Sequence, residues 1–157
     1  MPLPEFAIGL GDTLTAAGRP AEAGKAYALV GVIQRLLEAN GVRTEFETAL
    51  FDLDHGRNVA GALARAERAY RDRKSIDAED VLAWAYHKNG RCLEALKHSQ
   101  LALRLGTKDA LKLFHRGMIE QCLGRPAAAR AFLERALDTN PYFSLLYAPV
   151  AREALAG

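Results

Sequence analysis

The sequence lacks the features that define several classes of protein. None of its apolar runs approaches the roughly 18 residues that a membrane-spanning helix needs, so we expect no membrane partner. Its first residues, Met1-Pro2-Leu3-Pro4-Glu5, have neither the basic nor the apolar region of a secretory signal. With 50% hydrophobic and 25% charged residues, the 157-residue chain has the composition of a soluble globular protein.

An excess of one charge is also missing. The chain has 21 basic and 19 acidic residues, a formal net charge of +2. Proteins that bind nucleic acid without regard to sequence normally carry a basic excess or stripe. The nearest feature here, the basic run from Arg65 to Lys74, is interrupted by Glu67 and Asp72. We interpret this run as a solvated helix face and predict no nucleic-acid partner.

Cysteine is scarce. Cys92 and Cys122 lie 30 residues apart and form no C-x-x-C motif. This spacing predicts no disulfide framework, and a reducing cytoplasm is the compartment we expect.

Catalytic and nucleotide-binding fingerprints are absent as well. The sequence contains no G-x-S-x-G motif and no P-loop, and Gly9-Leu10-Gly11 does not follow a predicted strand. The segment Asp52 to Gly56 resembles the start of a calcium loop, but Leu63 stands where the distal glutamate is required. We therefore predict that the protein is not an enzyme and needs no cofactor.

What the sequence does contain is an internal repeat. Its markers are four glycines spaced 38, 34 and 34 residues apart, namely Gly18, Gly56, Gly90 and Gly124. Each is followed by two small or aliphatic residues seven positions apart, the pairs being Ala23 and Val30, Ala62 and Ala69, Ala95 and Ala102, and Ala129 and Ala136. Seven residues are two helical turns, so both lie on one helix face. The pattern predicts units of helix, turn and helix.

The same pattern predicts where the helices lie. We expect them near 4–17, 20–39, 43–54, 58–72, 77–89, 91–105, 109–123 and 125–138, with a short ninth helix capping the last pair. Asp77 is the predicted N-cap of the fifth helix. Pro20 and Pro126 fall where second helices begin, a position that tolerates proline. Gly11 and Gly117 are expected to let paired helices approach closely.

These landmarks resemble the tetratricopeptide repeat family. The third unit matches that family's pattern at Leu82, Ala83, Tyr86, Gly90, Ala95, Ala102 and Leu105, and the fourth at Gly117, Gly124, Ala129, Ala136, Leu137 and Pro141. Thr107 replaces the usual closing proline of the third unit, and Glu120 replaces an aromatic residue in the fourth. The resemblance implies an all-α, right-handed superhelix in a single domain, with repeats near 4–37, 43–74, 76–109 and 110–143 and a cap at 144–157.

The family's concave inner surface, lined by the first helix of each pair, usually binds a peptide or helix of a partner protein. Transferred unit by unit, the inner-face positions other than our candidate partner-binding residues are Ile8, Asp12, Thr15, Phe46, Glu47, Leu50, Leu53, Asp77, Val81, Leu111 and Cys122. For Leu50 and Leu53 core packing is the favoured interpretation. Our candidate partner-binding residues are Asp80, Trp84, His87, Lys88, Phe114, His115, Met118 and Gln121. Trp84 and Phe114 are the predicted anchors, and core packing is the alternative for each. The basic and amide residues with which some family members bind chaperone tails are absent.

The four histidines raise the question of a metal. His87 and His115 fall on equivalent first helices, and with Cys122 they suggest zinc. Their spacing matches no common zinc motif, so we predict no metal site. His55 is expected to contact the last carbonyls of its helix, and His98 to lie on the outer surface or between repeats.

The sequence thus favours a non-enzymatic protein-interaction module. Two alternatives stay open. One is a structural domain that self-associates as a homo-oligomer through an uncapped end. The other is a regulatory part of a longer protein, because the chain begins almost directly with a repeat and shows no N-terminal cap.

Overall fold

The computed structural model describes residues 3–157, and this part of the chain is helical with no strand. The helices are α1 (Pro4–Ala16), α2 (Pro20–Ala39), α3 (Glu45–Asp54), α4 (Val59–Asp72), α5 (Ile76–Lys88), α6 (Cys92–Ala102), α7 (Ala110–Cys122), α8 (Pro126–Thr139) and α9 (Tyr147–Ala156). These bounds confirm the nine predicted helices, most of them within two residues. None of the helices described is long and apolar enough to cross a membrane.

The turns inside the helix pairs form at the repeated glycines. Gly18, Gly56, Gly90 and Gly124 have positive φ angles of 71°, 64°, 74° and 70°. In this left-handed conformation a side chain is strained, so glycine is the favoured residue. The residue after each glycine donates its N–H to a carbonyl near the end of the preceding helix, as Arg91 does to Tyr86 at 2.9 Å. The local sequence therefore ends the first helix of each pair.

The helix starts agree with the predictions at the prolines and differ at α5. Pro20 and Pro126 occupy the first turns of α2 and α8. The N-cap of α5 is Ser75, whose Oγ accepts the Ala78 N–H at 3.0 Å, so the prediction of Asp77 is wrong. Asp77 instead lies in the first turn, where its negative charge complements the helix dipole.

The chain divides into two compact units, one ending at Thr44 and the other running from Glu45 to Gly157. In the first unit α1 packs against α2. Gly11 lies directly beneath the ring of Tyr27, and any Cβ at this position would collide with the ring. The Tyr27 hydroxyl donates to Asp12 Oδ1 at 2.8 Å. The single domain expected from the sequence stays a prediction.

The second unit contains three helix pairs, α3 with α4, α5 with α6 and α7 with α8, followed by α9. Alanines at the pair interfaces, among them Ala49, Ala62 and Ala83, are fully buried. At Gly117 an added Cβ would lie 2.7 Å from Leu133 and 3.3 Å from the Ala129 carbonyl. Small residues thus let the paired helices approach closely, as the sequence predicts for Gly117.

Candidate protein-interaction site

The first helices of the three pairs, α3, α5 and α7, contact one another in order and form one surface of the second unit. We call this surface the inner face. Two hydrogen bonds connect its helices: Trp84 Nε1 donates to Asp54 Oδ1 at 2.9 Å, and His115 Nδ1 lies 3.0 Å from Asp80 Oδ2. The inner face divides into a closed part and an open part, which differ in what covers them.

The closed part consists of Asp54, Trp84, Phe114 and His115, together with Tyr147 of α9. The Tyr147 ring stacks on Phe114 with centroids 4.8 Å apart and meets Trp84 edge-on at 5.5 Å. Its hydroxyl donates to Asp54 Oδ1 at 2.9 Å. The chain's own C-terminal helix therefore supplies the ring that packs onto the aromatic residues of the inner face.

This packing bears on the predicted role of the two anchors. Trp84 is 2% exposed and Phe114 is 0% exposed, and both belong to the hydrophobic core. Asp80 and His115 are buried beside them. This burial favours core packing, the alternative stated for both anchors, because α9 reaches across the inner face instead of covering only the end of the last pair.

Asp54 is the polar centre of the closed part. Asp54 accepts hydrogen bonds from the Trp84 indole and the Tyr147 hydroxyl on the same oxygen. Burial raises the pKa of the Asp54 carboxyl, while His115 and the two hydrogen bonds act in the opposite direction. This arrangement fixes the positions of the rings, and the Nε2 of His115 is the buried side-chain atom of the closed part that has no hydrogen-bond partner in the described structure.

His87 and Lys88 lie at the margin of the closed part. The His87 ring stacks on Trp84 with centroids 4.8 Å apart, and Lys88 Nζ lies 5.3 Å from the centre of the Trp84 ring. Burial, with a smaller contribution from His115 and Lys88, lowers the pKa of His87 to about 4. His87 is therefore a neutral imidazole at pH 7.

The remaining predicted residues lie apart from this cluster. Met118 is half-buried and packs against the core. Gln121 is exposed and lines a separate depression of about 270 Å³, which Arg130 of α8 and the last residues of α9 complete. The structure therefore does not gather the eight predicted residues into one ligand-accessible site.

The open part of the inner face is a groove of about 420 Å³ between α3 and α5. Its lining residues are Phe46, Glu47, Leu50, Arg73, Ser75, Asp77, Ala78 and Val81. Phe46 and Val81 form an apolar floor with Leu50. The guanidinium of Arg73 lies 4.9 Å from the centre of the Phe46 ring. This groove has the combination of apolar surface and charged rim that the sequence predicts around Trp84.

Most residues of the open part lie on the inner face as predicted, but Arg73 was missed. It follows directly after α4, and its side chain reaches Glu47 at 4.0 Å. In the second unit, the end of the second helix of a repeat lies beside the start of the first helix of the following repeat. The position of Arg73 at the end of α4 was therefore the sequence signal that could have placed it at the groove.

The cysteines also differ from expectation. Cys92 and Cys122 form a disulfide with a Cα–Cα distance of 6.2 Å, so the expectation that the sequence forms no disulfide framework does not extend to this pair. Cys92 lies two residues after the turn at Gly90, and Cys122 two residues before the turn at Gly124. Because both turns lie at one edge of neighbouring repeats, these offsets bring the sulfurs together. Because a reducing compartment was expected from the absence of disulfides, this pairing removes the reason for that expectation.

The histidines fall into distinct environments. His55 Nδ1 lies 2.8 Å from the Phe51 carbonyl, which confirms the predicted helix-end contact. His98 lies between helices, with Nδ1 2.7 Å from Glu79 Oε2. A ring nitrogen of His87 and the sulfurs of Cys92 and Cys122 lie within 4.8 Å of one another, a set of atoms able to hold a metal.

Comparisons with known proteins identify the fold. No protein-family model and no curated protein matches the sequence. Among solved structures, the chain is similar to the crystal structure of a thermophilic TPR protein of Thermus thermophilus. The two are 24% identical, with a TM-score of 0.68 over 98% of this chain and 80% of the other. The protein thus has the all-α fold of a tetratricopeptide repeat solenoid, as the sequence resemblance implies.

Proposed function

We propose that the protein is a non-enzymatic interaction module that binds a segment of a partner protein in the groove between α3 and α5. The observation that supports this proposal is the open groove itself, because no other part of the inner face, as far as the structure describes it, combines an apolar floor with free space. Phe46, Leu50 and Val81 would accept one bulky apolar side chain. Burial of such a side chain is the usual basis of an interaction hot spot.

The rim of the groove indicates what lies next to that side chain. Glu47 and Asp77 have side chains that are 58% and 84% exposed, and Arg73 is the one cation among the lining residues. Each carboxylate is paired with a cation, Glu47 with Arg73 at 4.0 Å and Asp77 with Lys112 at 2.9 Å, but both acidic side chains stay largely exposed. A lysine or arginine near the apolar anchor of a partner segment would contact these exposed carboxylates.

The binding mechanism follows from the rigidity of the repeat. The groove lies between packed helices, and its floor belongs to the hydrophobic core. A preformed receptor loses little conformational entropy when a segment binds, so more of the contact free energy is available as affinity.

Selection from a displayed library of random peptides on the full-length protein tests the proposal. We expect the selected peptides to combine an aromatic or large aliphatic residue with a nearby basic residue. Leu50→Lys, which places a charge in the apolar floor, should weaken binding of a selected peptide by about tenfold or more in fluorescence anisotropy.

Leu105→Lys is the matched control, because Leu105 is 72% exposed and does not line the groove. It should leave the affinity unchanged. Equal binding by Leu50→Lys and the wild type, with both folded by circular dichroism, would exclude the groove as the binding site.

Self-association is a second candidate function, supported by a separate surface. Leu3, Phe6 and Leu10 follow the i, i+3, i+7 spacing of one face of α1 and are 46%, 70% and 55% exposed. An exposed apolar stripe of this kind is typical of an interface. A second copy of the chain would bury it. Sedimentation over a range of concentrations should then show a dimer that Phe6→Glu converts to monomer, whereas a concentration-independent monomer contradicts this candidate.

A further inference from the structure

We propose that reduction of the disulfide between Cys92 and Cys122 creates a binding site for Zn²⁺, formed by the two cysteine sulfurs and His87. Water would complete a tetrahedral coordination shell. The residues of this site do not line the groove between α3 and α5. The inference is therefore independent of the proposed peptide binding.

The positions of the three ligands rest on the repeat. His87 lies in the last turn of α5, Cys92 is the first residue of α6, and Cys122 is the last residue of α7. Only the turn at Gly90 separates His87 from Cys92, and the 34-residue spacing from Gly90 to Gly124 brings Cys122 to the same edge. Helix ends on a rigid scaffold hold the ligands close before any metal binds.

The distances suit a zinc ion. Zinc binds thiolate at about 2.3 Å and imidazole at about 2.0 Å in tetrahedral geometry, so its ligand atoms lie roughly 3.5–4 Å apart. Here the three ligand atoms already lie within 4.8 Å of one another. Once the sulfur–sulfur bond is broken, side-chain rotation is sufficient to separate the sulfurs, since their Cα atoms are 6.2 Å apart.

The donor atoms also select the metal. Two thiolates and one imidazole are a ligand set that zinc prefers and that magnesium and calcium do not. One of the two ring nitrogens of His87, Nδ1, is buried and has no hydrogen-bond partner in the structure. The N-terminus of α6, where Cys92 lies, favours a negatively charged ligand such as a thiolate.

Access and redox chemistry are consistent with a reversible site. Cys122 is exposed, whereas Cys92 is 8% exposed, so a reductant would attack at Cys122. A dithiol reductant transfers two electrons and two protons to the bond, giving two thiols, and is itself oxidised to a disulfide. Zn²⁺ then replaces the two thiol protons, which are released to solvent. The metal would thereby replace the covalent link between α6 and α7.

Titration with Co²⁺ as a spectroscopic probe for zinc tests the proposal. The full-length protein is reduced with dithiothreitol, freed of the reductant without air, and titrated with Co²⁺ and then Zn²⁺. We expect one equivalent of Co²⁺ to produce thiolate charge-transfer absorption and the intense visible bands of tetrahedral coordination, and Zn²⁺ to displace it. The unreduced protein should give no such spectrum.

Variants separate this site from nonspecific binding. Cys92→Ser and Cys122→Ser should each reduce the thiolate charge-transfer absorption below that of the wild type. His87→Gln should weaken Zn²⁺ binding by about tenfold or more. His55→Gln removes a histidine outside the cluster and should leave binding unchanged. Full affinity in His87→Gln, equal binding by the oxidised protein, or no thiolate band from reduced protein would overturn the proposal. Loss of the helical circular dichroism on reduction would overturn it as well, because the preformed ligand positions would not exist.

Discussion

The closed and open parts of the inner face are made by the same type of helix but behave as opposites. The closed part contains the larger aromatic residues, Trp84 and Phe114, which are at most 2% exposed and contact Tyr147 of α9. The open part has a smaller apolar floor and keeps a groove of about 420 Å³. The comparison teaches that the richest aromatic cluster on a repeat face need not be its binding surface.

The difference arises from a segment of the chain that acts as an internal ligand. Tyr147 fills the space over Trp84 and Phe114 much as a partner's aromatic side chain would. It also satisfies Asp54, the polar group at the centre of the cluster. No segment of the described chain covers the groove between α3 and α5 in the same way. Substitutions in the closed part should therefore mainly change the stability of the fold, whereas substitutions in the open part should mainly change partner binding.

The largest expected effect is the loss of a core ring from the closed part. Trp84→Ala and Phe114→Ala should each lower the free energy of unfolding by about 3–5 kcal/mol, because both rings are buried and leave a cavity. Urea denaturation followed by circular dichroism measures the change. Leu93→Ala, at a residue 64% exposed, is the control and should change it by about 0.5 kcal/mol or less. A similarly small loss for Trp84→Ala would contradict the closed part as described.

Acidification should weaken the closed part through His87. The fold lowers the pKa of His87 from 6.5 to about 4, so the unfolded chain binds a proton more readily between these values. The contribution of neutral His87 to the free energy of unfolding is fully present above pH 6.5. It decreases as the pH falls towards 4, by up to about 3 kcal/mol. The raised pKa of Asp54 acts in the opposite direction in this range.

His87→Gln isolates this contribution, because glutamine does not titrate and Asp54 is present in both proteins. The variant should lose less stability than the wild type between pH 7 and pH 4, measured with the disulfide intact. Parallel pH profiles for the two proteins would show that His87 does not cause the acid sensitivity.

A smaller effect is expected when only the hydroxyl of Tyr147 is removed. Tyr147→Phe keeps the ring stacked on Phe114 but removes the hydrogen bond to Asp54, at a cost of about 1–2 kcal/mol. Trp84 is the only tryptophan, so its fluorescence also reports on α9. We expect the emission of Trp84 to shift to longer wavelength in Tyr147→Ala but not in Tyr147→Phe. This result would show that the ring of Tyr147, and not its hydroxyl, shields Trp84 from water.

The smallest effect on stability should come from the open part. Leu50→Ala removes a half-buried side chain and should lower the free energy of unfolding by about 1 kcal/mol or less. The same urea experiment measures it. A loss as large as that of Trp84→Ala would make Leu50 a core residue and remove the contrast between the two parts.

The sequence predicts the local structure well because the signals are local. A glycine with positive φ, a proline in the first helical turn and apolar residues at helical spacing act within a few residues of where they stand. The start of α5 differs because Ser75 competes with Asp77 for the cap, and only the position of its hydroxyl decides. The helix bounds and the tight packing at Gly117 therefore follow from the sequence.

The site was predicted less well because it depends on contacts between distant segments. Nothing near Trp84 in the sequence indicates that Tyr147, which lies in a different segment of the chain, packs on it. The pairing of Cys92 with Cys122 was accessible from their offsets to Gly90 and Gly124. The signal is the position of each cysteine relative to its turn glycine, which a cysteine motif does not contain.

The hydrogen bond from Tyr147 to Asp54 joins residues 93 positions apart, whereas each helix pair is built from neighbouring segments. Local contacts form early in folding, and a long loop must close before a distant contact contributes. We therefore expect the helix pairs to assemble first and α9 to dock last. On the ribosome, the aromatic rings of α5 and α7 would remain uncovered until α9 had been synthesised and had left the exit tunnel.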